Sequence, residues 1–437
     1  MPVYYNLSIM AVKKLFDRIA LIIIDQLRAD YGQYFPKCHN LLKYHAVCDT
    51  KSIPTSTEAM HTNISTGKYP KDHGFISKHP KEIDGLTELT EKYKSGALTP
   101  LSTAGWTYGY TTFCLGGKFE VVYAMALPKE CALMIFSENK SIPGFKLEYD
   151  KKGNPFWIEI FETWKNRNKH LDKIEDYTKF DKQLISLFEE VYYKCTEAKG
   201  LFFNMLTLPS IDLLGHKTGP CSTEIVNHLG FLDEKLAHII KTNPSDLFIL
   251  AGDHGCRTTT KYFIGEREKR PFLAHAYAQE GDLYKYLASI ELDSSNASNI
   301  QHICYDGGKL SIWLNTNCFL SEQDTILLAE QGKIIDLRTN NLDSDFLEII
   351  ENSKHRNLGD ILVIPHEQST FCKWNWIDVL VRSKILQNQS LKLGELPIGE
   401  HGTYYLKDRH TLFMSNYDFG DSLANKQIRE ELEKLMK

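Results

Sequence analysis

Three short apolar runs in this chain each stop at a carboxylate. "IALIII" (Ile19–Ile24) is followed by Asp25. Leu201–Leu208 leads within a few residues to Asp212. Leu247–Ala251 leads to Asp253 and His254. Runs this short and this apolar suit strands buried on both faces, and both faces are buried only when helices cover them. The stretches Asp176–Cys195 and Thr223–Lys241 place apolar residues at helical spacing between those runs. Strands alternating with helices predict an α/β fold with a mostly parallel sheet. In such sheets the functional site lies beyond the carboxyl ends of the strands. Asp25, Asp212, Asp253 and His254 all fall there.

A chain of 437 residues exceeds one simple core, so a second, smaller unit is expected. The stretch 266–394 has strand-like pieces ("GGKLSIWLN", "KIIDL", "DILVIP") and a helix ("TILLAEQ") but few candidate site residues. It reads as an inserted cap, leaving 1–265 and 395–437 as the main unit. The aromatic clusters Asn154–Trp164 and Trp374–Asp378 read as packing, with Phe156 and Trp157 placed to line a pocket mouth.

Bulk properties exclude several classes. A net charge of −5 gives no basic footprint for nucleic acid. No run reaches the roughly 18 apolar residues of a membrane helix. The start of the chain lacks a basic-then-apolar leader pattern, so a cytoplasmic protein is expected. The ten cysteines form no C-x-x-C pair and read as reduced thiols.

A single Asp after a strand is most simply a cap or turn residue. Here the pattern repeats. Asp212 and His216 are four apart, Asp253 and His254 are adjacent, and His401 stands in "GEHG". Carboxylate oxygens with imidazole nitrogens suit zinc, with manganese or iron as competitors. Two such cations a few ångströms apart clamp the oxygens of a phosphoryl transfer. The hydroxyl-rich stretch "SIPTSTEAMHTNISTGK" (residues 52–68) offers nucleophiles at the start of a helix, where free N–H groups bind phosphate. Its plainer reading is a loop and a capped helix ending at Gly67.

The ordered set resembles the alkaline phosphatase superfamily, most closely the type I phosphodiesterase/nucleotide pyrophosphatase group. The matching pieces are "IIIDQLRADY", "PTSTEAMHTNISTGKYPKDHGF", "DLLGH", "GDHG" and "EHG". The resemblance implies a three-layer sandwich with an inserted cap, two Zn2+ ions, and Thr57 as nucleophile. It implies Asp25, Thr57, Asp253 and His254 around one metal, and Asp212, His216 and His401 around the other. The implied reaction is in-line attack by Thr57, giving a phosphothreonine that water hydrolyses. The substrate would be a small-molecule phosphoester or phosphonate. The oligomeric state is open.

Two positions depart from the nucleotide-cleaving pattern. Glu58 stands where an aromatic residue stacks on the base, and Met60 where an Asn contacts the phosphoryl oxygen. Lys118, in "CLGGKFE", resembles a substrate-contacting lysine of other superfamily members and is the candidate replacement. Its plainer reading is a solvated lysine. Glu58 is the second candidate substrate contact. Phosphonoacetate hydrolase shares the motif order, which keeps C–P bond hydrolysis as an alternative. A metal-binding module that has lost catalysis is a third reading. Arg28 with Asp30 reads as an ion pair buttressing a loop, and His73 as structural.

Overall fold

Alternate residues of the first strand enter two different cores. Ala20, Ile22 and Ile24 join one apolar cluster, and Ile19, Leu21 and Ile23 join another. That is the period-2 geometry of a strand covered on both sides. The computed structural model of the chain describes residues 14–76, 85–127, 131–137, 144–148, 159–160, 162–164, 166, 177–265, 272–279, 283–291, 299–306, 308–339, 346–373 and 399–437. Phe156, Trp157 and Trp374–Asp378 lie outside these residues.

The central sheet has nine strands: β1 (Arg18–Ile24), β2 (Tyr44–Asp49), β3 (Thr111–Gly116), β4 (Cys131–Ser137), β5 (Gly144–Glu148), β6 (Phe202–Leu208), β7 (Leu247–Gly252), β8 (His410–Ser415) and β9 (Ser422–Ala424). Their order is β9-β2-β8-β7-β1-β6-β3-β4-β5. The run from β7 to β4 is parallel. Only β5 and β8 pair antiparallel with their neighbours.

Six helices matter for the site: α1 (Thr57–Thr66), α2 (Phe119–Met125), α3 (Tyr177–Ala198), α4 (Ser210–Thr218), α5 (Thr223–Thr242) and α6 (Gln427–Met436). On one face of the sheet, α3 contributes Leu184, Phe188, Val191 and Cys195, and α5 contributes Ile225, Leu229, Leu232 and Leu236. On the other face lie Ile64 of α1, Val122 of α2, and Ile428 and Leu432 of α6. Burying each such side chain contributes about 1.5–3 kcal/mol. This is an α/β sandwich with a large, mostly parallel sheet.

Register gathers the strand ends. Ile24 lies opposite both Leu208 and Gly252, and Gly116 lies opposite Thr207. The residues that follow, Asp25, Pro209, Asp253 and Gly117, therefore emerge along one edge of the sheet.

Separate sheets occupy much of the stretch expected to be a cap. One has four strands in the order Ile300–Asp306, Lys309–Leu314, Ile361–Pro365, Gly332–Asp336. One side of it, with Leu337, Ile349, Ile350 and Leu358, packs on Ile53, inside the hydroxyl-rich stretch, and on Ile76, beyond its end. A second four-stranded sheet begins with Lys261–Gly265, which pairs with Phe272–Gln279 and Ser369–Lys373. Among the described residues no helix is long and apolar enough to cross a membrane.

Candidate metal centre and nucleophile

The helix α1 starts at Thr57 and stops at Gly67, whose φ of 67° suits glycine. The hydroxyls before it do not cap it in the ordinary way. Ser56 donates to Ile76 O at 2.7 Å, and no side chain caps the helix start. Thr55 Oγ1 accepts from Gly402 N at 2.8 Å and donates to Thr403 O at 3.3 Å. The two residues fasten α1 to the segment at Ile76 and to the loop carrying His401. Thr57 is thereby left with its hydroxyl directed at the strand ends.

The structure brings all seven expected metal-centre residues together, in two neighbouring clusters, with Asp212 within reach of both. In the first, Thr57 Oγ1 lies 3.3 Å from Asp25 Oδ1 and 3.2 Å from His254 Nε2, and His254 Nε2 lies 3.2 Å from Asp25 Oδ1. Asp253 Oδ2 is 3.5 Å from the same imidazole nitrogen. In the second, Asp212 Oδ1, His216 Nε2 and His401 Nε2 form a triangle with every edge 3.3 Å. Donor atoms about 3.3 Å apart match one face of a tetrahedron around a cation about 2.0–2.1 Å from each. Asp212 and His216 share one face of α4 because they are four residues apart. The rings of His254 and His401 stack at 3.9 Å, which joins the clusters.

Hydrogen bonding aims each imidazole. His216 Nδ1 bonds to Gly399 O at 2.9 Å, His254 Nδ1 to Gly255 O at 3.0 Å, and His401 Nδ1 to Thr55 O at 2.6 Å. With Nδ1–H donated to a carbonyl, each Nε2 faces the site and can give its lone pair to a cation in place of a proton, the usual arrangement behind a metal-binding histidine. Asp212 Oδ1 and Asp253 Oδ2 are buried and make no well-formed hydrogen bond; their near neighbours include imidazole nitrogens, His216 and His401 Nε2 at 3.3 Å from the first and His61 Nδ1 at 3.2 Å from the second, a setting that a cation would suit. The donor set therefore fits two cations.

The electrostatics point the same way. Burial pushes the His254 imidazole down, but Asp253 and Asp25 outweigh it and lift the group to about 10. Burial likewise opposes His216, which Asp212 and Glu400 raise to about 9. Burial raises Asp212, yet Lys118 and His216 hold it well below the usual carboxylate range. The pocket favours positive charge.

Lys118 is not a solvated lysine. Its Nζ is 2.8 Å from Asp25 Oδ2, 3.2 Å from Asp212 Oδ2 and 3.4 Å from Thr57 Oγ1. Gly116 and Gly117 bring it there. A Cβ on Gly117 would meet Pro209 at 2.7 Å, so only glycine lets the end of β3 lie this close to the end of β6. The charge of Glu58 helps hold Lys118 protonated. Met60 departs differently. It is fully buried, and its sulfur meets Asn425 Nδ2 at 3.3 Å in the packing of α1.

Two supporting residues escaped sequence reasoning. Gln26 is buried with φ 66°, and its backbone N–H donates to Asp253 Oδ1 at 2.9 Å. With its amide turned to donate, it also reaches Ile211 O at 3.0 Å and Asp212 O at 3.3 Å. Glu400 Oε1 accepts from His401 N at 3.1 Å. Each neighbours a recognised residue, and nothing in its type marks it. Arg28 and Asp30 form the expected pair at 2.8 Å, and His73 is buried against Asn63.

Residues 19–403 match the family described as type I phosphodiesterase / nucleotide pyrophosphatase. Ectonucleotide pyrophosphatase/phosphodiesterase 1 of Saccharomyces cerevisiae is 23% identical over 296 residues, 61% of this chain. The match spans 37% of the length of that relative. Among solved structures, alkaline phosphatase PafA aligns with TM-score 0.64 at 13% identity, covering 97% of this chain and 96% of that one. Phosphonoacetate hydrolase from Sinorhizobium meliloti, in complex with phosphonoformate, gives 0.61 at 12% identity, covering 96% of each chain. An inactive threonine-to-alanine variant of murine ectonucleotide pyrophosphatase/phosphodiesterase 5, in complex with AMP, gives 0.54 at 14%, covering 96% and 94%. At these identities the structural likeness is one of fold.

Proposed function

Because the chain belongs to the type I phosphodiesterase/nucleotide pyrophosphatase family, within the alkaline phosphatase superfamily, we propose that it hydrolyses small-molecule phosphate esters with Thr57 as nucleophile. The observation that carries this is the position of Thr57. Its hydroxyl oxygen opens α1 and lies within 3.4 Å of Asp25, His254 and Lys118.

Asp25, Thr57, Asp253 and His254 would hold one cation, and Asp212, His216 and His401 the other; zinc suits these donors best. Cations held there supply Lewis acidity that eases loss of the Thr57 proton and offsets phosphoryl charge. Thr57 Oγ attacks phosphorus in line, the bond from phosphorus to the alcohol oxygen breaks, and the alcohol leaves with a proton. Lys118 Nζ neutralises a non-bridging oxygen as charge shifts towards it. The start of α1 would turn the positive end of the helix towards the same oxygens. Water then attacks phosphorus, releasing phosphate, or a phosphomonoester from a diester, and restoring the Thr57 hydroxyl. The sheets between residues 261 and 373 would form the cap that selects the substrate.

Support comes from the relatives: one solved neighbour is inactive with a threonine replaced and binds AMP, and another binds phosphonoformate. The likeness to the second keeps C–P hydrolysis as the alternative. Turnover of bis-p-nitrophenyl phosphate, with acid-quenched protein carrying phosphate on the Thr57 peptide, is the expected result. Turnover with the label elsewhere, or with none, overturns the nucleophile assignment. Hydrolysis of phosphonoacetate in place of any phosphate ester selects the alternative.

A further inference from the structure

Arg257 follows His254 by three residues and is buried at 1% exposure, and its ion-pair partner Asp408 is buried completely. Neither residue touches the donor clusters. Arg257 Nη1 donates to Asp408 Oδ2 at 2.5 Å and to Glu400 O at 3.5 Å. Its Nε reaches Glu367 O at 2.8 Å, and its Nη2 reaches Ser369 O at 2.9 Å. Asp408 Oδ2 also accepts from Thr403 N at 3.1 Å and from Thr403 Oγ1 at 2.5 Å. The main chain of Asp408 accepts from Gly255 N at 2.7 Å.

These bonds reinforce three segments that backbone pairing already brings together, Arg257 opposite Glu400 and Lys261–Gly265 beside Ser369–Lys373. One is the strand end carrying His254, the second the loop 400–403 carrying His401, and the third the turn entering the strand Ser369–Lys373. The His401 loop is held from both sides, because Glu400 O and Thr403 precede and follow the histidine. A buried ion pair gains little net stability over an apolar pair of the same volume, since desolvation offsets its attraction. Its value lies in direction: a planar guanidinium with five donors fixes several carbonyls at once.

We propose that Arg257 and Asp408 are positioning residues that set His401 against Asp212 and His216, and that they link the packing of Ser369–Lys373 to the second cation site. The proposal rests on the two-cation reading above. The two clusters should respond unequally. His254 keeps its strand, its own Nδ1 bond and the main-chain bond from Gly255 to Asp408 when the ion pair is cut. The His401 loop loses the Arg257 Nη1 bonds on both sides, to Glu400 O at 3.5 Å and to Thr403 Oγ1 at 3.4 Å.

The test counts cations without using turnover. Wild type, R257M, R257K and the milder T403V are purified, loaded with zinc, and titrated with a chromophoric chelator, with folding checked by circular dichroism. T403V removes only one hydroxyl from the network, so it reports even if R257M fails to fold. Wild type is expected to hold two zinc ions. The variants are expected to keep one unchanged and to bind the other at least tenfold more weakly, with no rescue in R257K. Combined with H401A, R257M should cause no further loss, because both act on one site. Equal weakening of both sites, or two ions retained at wild-type affinity, overturns the proposal alone. A wild-type protein that holds no cation overturns the two-cation reading and the proposal with it.

Discussion

The Nε2 atoms of His216 and His401 stand 3.3 Å apart. Each ring bonds through Nδ1 to a backbone carbonyl, Gly399 O for one and Thr55 O for the other. With Nδ1 so bonded, both Nε2 atoms face Asp212 Oδ1, 3.3 Å from each. Three such donor atoms at that spacing suit a shared cation. Two divalent ions per chain are therefore expected by elemental analysis. Loading to about a hundred times the dissociation constant should add about 2.7 kcal/mol to stability for each ion bound, lost on dialysis against chelator. H401A should retain one ion. Two ions in H401A would remove the second cluster as a binding site.

Thr57→Ala should abolish turnover, by roughly 10³-fold or more, while the metal content stays near that of wild type. Asp25, Asp253 and His254 remain as donors after that change, so loss of activity and loss of metal separate. Thr57→Ser keeps the hydroxyl and should retain measurable turnover. If Thr57→Ala loses activity only in proportion to metal, the hydroxyl is a ligand and not the nucleophile.

Lys118 bridges Asp25 and Asp212 at 2.8 and 3.2 Å. In the metal-free protein its ammonium balances carboxylates that would otherwise face one another. Lys118→Met should lower the melting temperature of chelator-treated protein more than that of the loaded protein. In the loaded protein it should lower kcat/KM by about 10²-fold, the scale of losing one charged contact to the transition state. Equal loss of stability with and without metal would reduce Lys118 to a structural ion pair.

The sheet and most of the site were legible because their signals are local. "RIALIIID" reads as a buried strand and its end, and Asp212 and His216 share a helix face by spacing alone. The helices expected at Asp176–Cys195 and Thr223–Lys241 run Tyr177–Ala198 and Thr223–Thr242. Contacts set by distant segments were not legible. Ser56 looks like a helix cap, but its hydroxyl is drawn to Ile76 O, twenty residues on. Gln26 is placed by the meeting of β1, α4 and β7, and a lone glutamine carries no trace of that meeting. Met60 marks a missing phosphate contact in sequence, whereas in the fold it serves the packing around Asn425. That leaves Glu58 as the sharper departure.

Glu58 stands in the first turn of α1 and its charge acts on Lys118. A carboxylate beside the nucleophile repels a second anionic group on the substrate and favours a cationic or hydroxylated leaving group. Glu58→Phe should move the ratio of kcat/KM towards nucleotide esters and away from choline-like esters by about tenfold, or ~1.4 kcal/mol. An unchanged ratio rules out Glu58 as a selector.

Glu88 joins the main unit to the small sheet's connecting segment. Its carboxylate lies 2.9 Å from Lys92 Nζ, 3.1 Å from Asn357 Nδ2, 3.3 Å from Arg356 Nη2 and 3.4 Å from His355 Nε2. Burial raises this carboxyl, but the hydrogen bonds from Lys92 and Asn357 prevail and hold it at about 2, against an ordinary 4.5. The folded state therefore prefers the ionised form. Its contribution is complete above the unfolded value and fades as pH falls through the folded one. Glu88→Gln should cost about 1–2 kcal/mol at pH 7, allowing for the partial exposure of the group. The gap between wild type and variant in urea melts should narrow steadily below about pH 4.5. A gap that stays constant down to pH 3 would show that the glutamine keeps the same contacts and that the charge contributes nothing.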